Sequence, residues 1–216
     1  MATLDHARYH FSDSCDGDLA AGAVGVDQRR QRLVALPWTW LRQVHGRDVV
    51  VVEHPGARCG ATADGAVTSV PGAALSVQVA DCAPVAVLGA SAVGVAHAGW
   101  LGLVAGIVPA VVDAVRRLSP GPLRAVIGPC IRPPCYAFGD VELDRVAAVV
   151  GDEVRARTSA GDPALDLAAG VRSALAGAGV AHCDDVAVCT VCSPRHWSYR
   201  RDGAAERQAL TVWLAS

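Results

Sequence analysis

Residues 82–112 contain no formally charged side chain. A stretch of that length must be withdrawn from water almost entirely, either across a bilayer or at the centre of a layered domain. Pro84, Pro109, His97 and several glycines interrupt it, so it reads as two buried strands running into a helix and not as a membrane span. Strands buried on both faces need a layer above and a layer below. The chain has material for both, since 52% of its 216 residues are hydrophobic and only 19% are charged.

Short Val-rich runs bounded by Gly, Pro and Asp predict strands over 38–44, 48–53, 65–69, 74–79, 84–88 and 92–96. Over 102–118, Leu103, Ile107 and Val111 recur at every fourth position, and Arg116 and Arg117 fall in the last turn, which predicts one helix kinked or started by Pro109. Beyond it the pattern predicts a strand over 123–127, helices over 141–150 and 165–176, and strands over 186–189 and 209–214. Strands and helices alternate only in the second half. The expected fold is therefore α/β, in an α+β layered form: a single domain spanning 1–216 with a mixed β-sheet flanked by helices. No fixed-period repeat or dividing linker is evident.

The net charge of -2 arises from 21 acidic and 19 basic residues with no block of like charge, which argues against nucleic acid and membrane surfaces as partners. Every basic residue is Arg, so lysine Schiff-base chemistry is excluded. Residues 1–11 hold Asp5, His6, Arg8 and His10 without an apolar run, which does not read as a secretory signal; the expectation is a cytoplasmic monomer acting on a small molecule. In that setting the eight cysteines are expected to be reduced, with Cys15, Cys59 and Cys183 as packing or surface residues. Cys82 is a candidate ligand or nucleophile.

Three segments place a borderline or soft metal ligand where a predicted strand runs out: Arg42-Gln43-Val44-His45-Gly46, Ala80-Asp81-Cys82-Ala83-Pro84 and Ala96-His97-Ala98-Gly99-Trp100. Strand ends leave crevices that side chains can line. Two imidazoles and a thiolate suit zinc, and also copper, with a fourth position left open as in catalytic sites. The alternative is that these residues are unrelated packed or exposed singletons. Asp64, before Gly65, reads first as a turn residue, and Asp81 is the candidate to orient a ligand histidine. The Cys189-x-x-Cys192 pair, joined by His182, Cys183 or His196, is a candidate second zinc site, whereas Cys130 and Cys135 read as loop cysteines.

The motifs RQVHG (42–46), ADGAVT (63–68), ADCAPV (80–85), AHAGW (96–100), IGPCI (127–131), CYAFG (135–139), CTVC (189–192) and SYRRDG (198–203) resemble the laccase-domain, or polyphenol oxidase, family. Its members are also described as purine nucleoside phosphorylases with adenosine deaminase activity and as peptidoglycan editing factors. The resemblance implies that His45, Cys82 and His97 are zinc or copper ligands and carry the catalysis. Arg42 and Gln43 would lie beside them, with Ser198, Tyr199 and Arg200 as a C-terminal wall. The implied enzyme is a zinc-dependent purine nucleoside phosphorylase and adenosine deaminase acting on adenosine, inosine or methylthioadenosine, with Arg42 and Arg200 placing phosphate. For Arg200, Arg201 and Asp202 the alternative is an exposed turn with an ion pair.

Copper-dependent phenol oxidation ranks lower, because oxygen reduction by laccases generally needs several coppers. A cysteine hydrolase acting on a peptidoglycan precursor, with Cys82 as nucleophile and a histidine as base, is a further reading. A non-catalytic role is the fourth, motivated by departures from the family pattern. Leu101 stands where the family has Arg in AHAGWRG, Ala137 replaces Glu in CYEVG, and Val171 replaces an Asn. Ser14-Cys15-Asp16-Gly17-Asp18 replaces a Gly-Gly-Val-Ser segment.

Overall fold

The computed structural model describes residues 6–215. Its strands are β1 (Ala7–Phe11), β2 (Trp38–Arg42), β3 (Val49–Val51), β4 (Ala61–Thr62), β5 (Gly65–Thr68), β6 (Ala74–Val79), β7 (Ala83–Leu88), β8 (Val93–Ala98), β9 (Arg124–Ile127), β10 (Arg155–Arg157), β11 (Pro163–Leu165), β12 (His182–Asp185) and β13 (Gln208–Leu214). The helices are α1 (Val26–Leu33), α2 (Trp100–Ala105), α3 (Ile107–Leu118), α4 (Asp140–Val150), α5 (Leu167–Gly177) and the single turn α6 (Tyr199–Asp202).

The expected mixed sheet is in fact two. A five-stranded sheet runs β1-β13-β6-β2-β4, with β2 parallel to both β6 and β4. A six-stranded sheet runs β12-β9-β7-β8-β5-β3, antiparallel through its centre and parallel at its two edges. Residue alternation on β7 and β8 explains the uncharged segment. Ala86, Leu88, Val93 and Val95 face the other sheet, packing with Leu75, Val77, Leu210 and Val212. Val85, Val87, Ala96 and Ala98 face the helices, packing with Val108, Val111, Val112 and Val115 of α3. All of these are fully buried except Leu88, which keeps 7% exposure, and burial stabilises the fold by about 1.5–3 kcal/mol per Val or Leu before chain entropy is counted.

Glycine sets how closely α3 sits on this sheet. A Cβ at Gly65 would lie 2.5 Å from Val111 Cγ2, and one at Gly94 would lie 2.8 Å from Val115 Cγ2. The predicted single helix over 102–118 is divided into α2 and α3 by Gly106, whose φ of 90° ends one helix and begins the next. Pro109 causes no kink, because it falls in the first turn of α3, where a missing N–H breaks no helical bond. The strand expected over 186–189 forms earlier, as β12. It is an edge strand whose residues alternate between exposed His182 and Asp184 and half-buried Cys183 and Asp185, and Asp184 pairs with Arg124 of β9 at 3.0 Å.

β1, α1 and the β10–β11 hairpin lie outside the predicted elements. Of the N-terminal stretch read for targeting, residues 1–5 lie outside the described residues. Among the described residues no helix is long and apolar enough to cross a membrane.

Candidate metal centre

All three predicted ligands lie at one end of the two sheets, where the chain passes from β6 in one sheet to β7 in the other. His45 sits in the loop of residues 43–48 after β2, Cys82 immediately before β7, and His97 near the end of β8. Their ligand atoms lie within 4.8 Å of one another, with Cys82 Sγ 3.7 Å from His45 Nε2. The two imidazole rings meet edge-on, with centroids 4.8 Å apart.

Asp64 organises this cluster. The β5–β8 register pairs Gly65 with Ala96, which brings the residue before β5 beside His97. Asp64 Oδ1 lies 2.8 Å from His97 Nδ1, and the carboxylate also accepts the backbone N–H groups of Val44, His45 and Gly46 at 3.1, 2.9 and 2.7 Å. Those amides hold His45 at a φ of 58°, which a non-glycine residue adopts only under such constraint. With His97 Nδ1 engaged, its Nε2 is the nitrogen available to a ligand. Asp64 is fully buried, yet its pKa falls: burial opposes the charge, but the His97 hydrogen bond and the amides outweigh it.

The orienting role expected of Asp81 therefore belongs to Asp64. Asp81, at φ 95°, accepts instead from Thr190 Oγ1 at 2.6 Å, Ser198 Oγ at 3.1 Å and the Arg200 backbone N–H at 2.7 Å. It ties the C-terminal segment to the turn that presents Cys82.

The donor set fits a soft or borderline divalent metal such as zinc. Gly99 supports that fit, because a Cβ there would lie 2.7 Å from His45 Cδ2 and 2.9 Å from Cys82 Sγ. Burial would raise the Cys82 thiol, but the positive charge of His97 and hydrogen bonding from both histidines bring it down to about 6. The same charge pairing and the Asp64 bond lift His97 against its burial. The pocket thus favours a thiolate, the form in which cysteine binds metal or attacks carbon.

A cavity of about 540 Å³ opens onto the ligands, walled by Arg42, Gln43, Gln78, Tyr199 and Arg207. Arg42 Nε donates to Thr62 Oγ1 at 3.0 Å and the side chain is exposed. The Gln43 amide is fully engaged: its Nε2 donates to Gln78 O and its Oε1 accepts from Gln78 N, both at 2.8 Å. Gln78 Nε2 is buried without a partner among the described residues. Ser198 and Arg200 do not line the cavity. Ser198 is buried behind it, and the Arg200 guanidinium lies 4.9 Å over the Tyr136 ring and donates to Ala137 O at 3.1 Å. Tyr199, between them, and Arg207 reach the wall instead. Arg201 pairs with Asp202 and also donates to the carbonyls of Thr190, Val191, Ser193 and His196, closing that loop.

Residues 17–215 match the family described as multi-copper polyphenol oxidoreductase laccase. A purine nucleoside phosphorylase of Streptomyces coelicolor is 43% identical over 204 residues, covering 91% of this chain and 80% of that protein. One from Streptomyces griseus is 40% identical over 233 residues, covering 96% and 94%. The crystal structure of YlmD from Geobacillus stearothermophilus superposes with a TM-score of 0.87 at 27% identity, covering 99% of this chain and 93% of that one. The chain belongs to the laccase-like family of multi-copper polyphenol oxidoreductases.

Proposed function

We propose that this protein is a zinc-dependent purine nucleoside phosphorylase that also deaminates adenosine. The observation that carries the reading is the cavity itself. His45, Cys82 and His97 converge at it, and Arg42 and Arg207 stand in its wall. The names of the Streptomyces relatives support the phosphorolytic part of this reading.

In phosphorolysis a phosphate oxygen bonds to the ribose anomeric carbon as the bond to the purine nitrogen breaks, and the purine leaves with a proton. Little covalent help is needed, so placement and charge dominate. Arg42 and Arg207 supply guanidinium groups suited to bidentate phosphate contact. Tyr199, exposed in the wall, offers a ring face to the base. His45, Cys82 and His97 would hold zinc, which would supply Lewis acidity for the deamination, in which water adds at the purine amino carbon and ammonia leaves.

Zinc-loaded protein incubated with adenosine, inosine or methylthioadenosine in phosphate buffer is expected to release free purine in a phosphate-dependent way, and inosine from adenosine. Absence of purine release from all three would overturn the proposal.

One further reading has its own support. Cys82, His97 and Asp64 also have the order of nucleophile, base and orienting carboxylate. If Cys82 acts as a nucleophile, alkylation of fresh protein will be rapid and indifferent to chelator. If it is a ligand, chelation will unmask it.

A further inference from the structure

The geometry points to a second metal site, formed by Cys135, Cys189 and Cys192 and suited to a thiophilic cation of the zinc class. Their three sulfurs lie within 4.8 Å of one another, and the Cys135 and Cys192 sulfurs are 3.2 Å apart. Sequence spacing offered His182, Cys183 or His196 to complete the Cys189–Cys192 pair, and the fold supplies Cys135 instead. His196 Nδ1 is engaged by Ser193 Oγ at 2.8 Å, and Cys183 lies against the Asp184 carbonyl.

The backbone around the three sulfurs is already arranged. Cys135 ends a tight turn begun by Pro133 and Pro134, with its N–H donating to Arg132 O at 3.0 Å. Cys189 forms a bridge with Cys130, fastened by Cys130 N to Val188 O and Thr190 N to Cys130 O, both at 3.2 Å. Ser193 N closes the Cys189–Cys192 turn onto Cys189 O at 3.0 Å. A disulfide between Cys135 and Cys192 would use two sulfurs and leave that of Cys189 without a role. Three thiolates select zinc or cuprous copper over harder ions, and exposed Cys192 leaves the fourth position facing solvent.

The site would also brace the first one. Thr190, inside the Cys189–Cys192 turn, donates to the Asp81 carboxylate, and Asp81 adjoins Cys82. Metal at the three cysteines would therefore fix the loop that holds the Cys82 turn, whatever reaction the first site performs.

The test is metal stoichiometry of the full chain, kept reduced, after zinc or cobalt(II) loading and gel filtration. Wild type is expected to retain two equivalents. Cys82→Ser should retain one, with the intense charge-transfer absorption of cobalt bound by several thiolates. Cys192→Ser should also retain one, with the weaker absorption of a single thiolate. A cobalt spectrum of reduced wild type that lacks the intense absorption of several thiolates would overturn the site without recourse to any variant, and so would a single equivalent on reduced wild type that is unchanged by Cys192→Ser or Cys135→Ser. Peptide mapping that finds a Cys135–Cys192 disulfide, with no second equivalent bound after reduction, would overturn it equally.

Discussion

At the scale of single residues, the three candidate ligands stand out because each lies where a predicted strand runs out; spacing alone leaves them open as unrelated singletons, and the family motifs single them out as a set. The carboxylate that orients them was not legible. Asp64 and Asp81 both sit beside a turn, and their roles depend on cross-strand register and on which face each side chain takes, information that is not local to either segment. Asp64→Asn replaces an acceptor of three amides and one imidazole with a group that presents donors of its own. Metal affinity is expected to fall about 10–100-fold, read by competition with a chromophoric chelator. Gly99→Ala forces a methyl group between His45 and Cys82. In a Cys192→Ser background, which removes the three-cysteine cluster, it is expected to abolish metal retention while circular dichroism remains that of the parent. Metal retained by that double variant would show that His45 and Cys82 do not act together.

At the scale of elements, apolar periodicity located the central strands well, because strands buried on both faces can be nothing else. It failed where partners and not periodicity define the element. β1 carries Arg8, Tyr9 and His10 yet pairs along its whole length with β13, and β12 contains two aspartates that are held by arginines. The break between α2 and α3 fell at Gly106, not at the proline, since a left-handed φ ends a helix more decisively than a proline in a first turn. Gly65→Ala is expected to destabilise by about 1–3 kcal/mol, because Val111 is too short to swing aside. Chemical denaturation would measure this.

Asp185, at the end of β12, carries a pH dependence. Burial raises its pKa, but hydrogen bonds and charge from Arg132, with help from the Ala187 N–H and the Arg172 charge, leave it below the ordinary carboxylate value. A carboxyl group depressed in the folded state stabilises fully above its unfolded pKa, about 3.9. That contribution is lost as pH falls below it toward the folded value. Wild type should therefore exceed Asp185→Asn in stability by about 2 kcal/mol near pH 7, with the gap closing below about pH 4. A gap that persists unchanged at pH 3 would mean that the ion pair is not its source.

At the scale of the whole molecule, the uncharged segment accounts for the architecture. β7 and β8 need cover on both faces; one cover is the second sheet and the other is the helical layer of α2 to α5. Stacking two sheets creates a rim where the chain crosses between them, and the crossing from β6 to β7 carries Asp81 and Cys82. Loop 43–48 and the end of β8 reach the same rim, so ligands separated widely in sequence meet there. Metal analysis alone cannot distinguish this centre from the three-cysteine site, so the decisive measurement is positional: anomalous scattering at the zinc edge from crystals of zinc-loaded protein. The expected result is a peak about 2.0–2.1 Å from Nε2 of both His45 and His97 and about 2.3 Å from the Cys82 sulfur. Zinc-loaded crystals with no anomalous peak between these three side chains would contradict it.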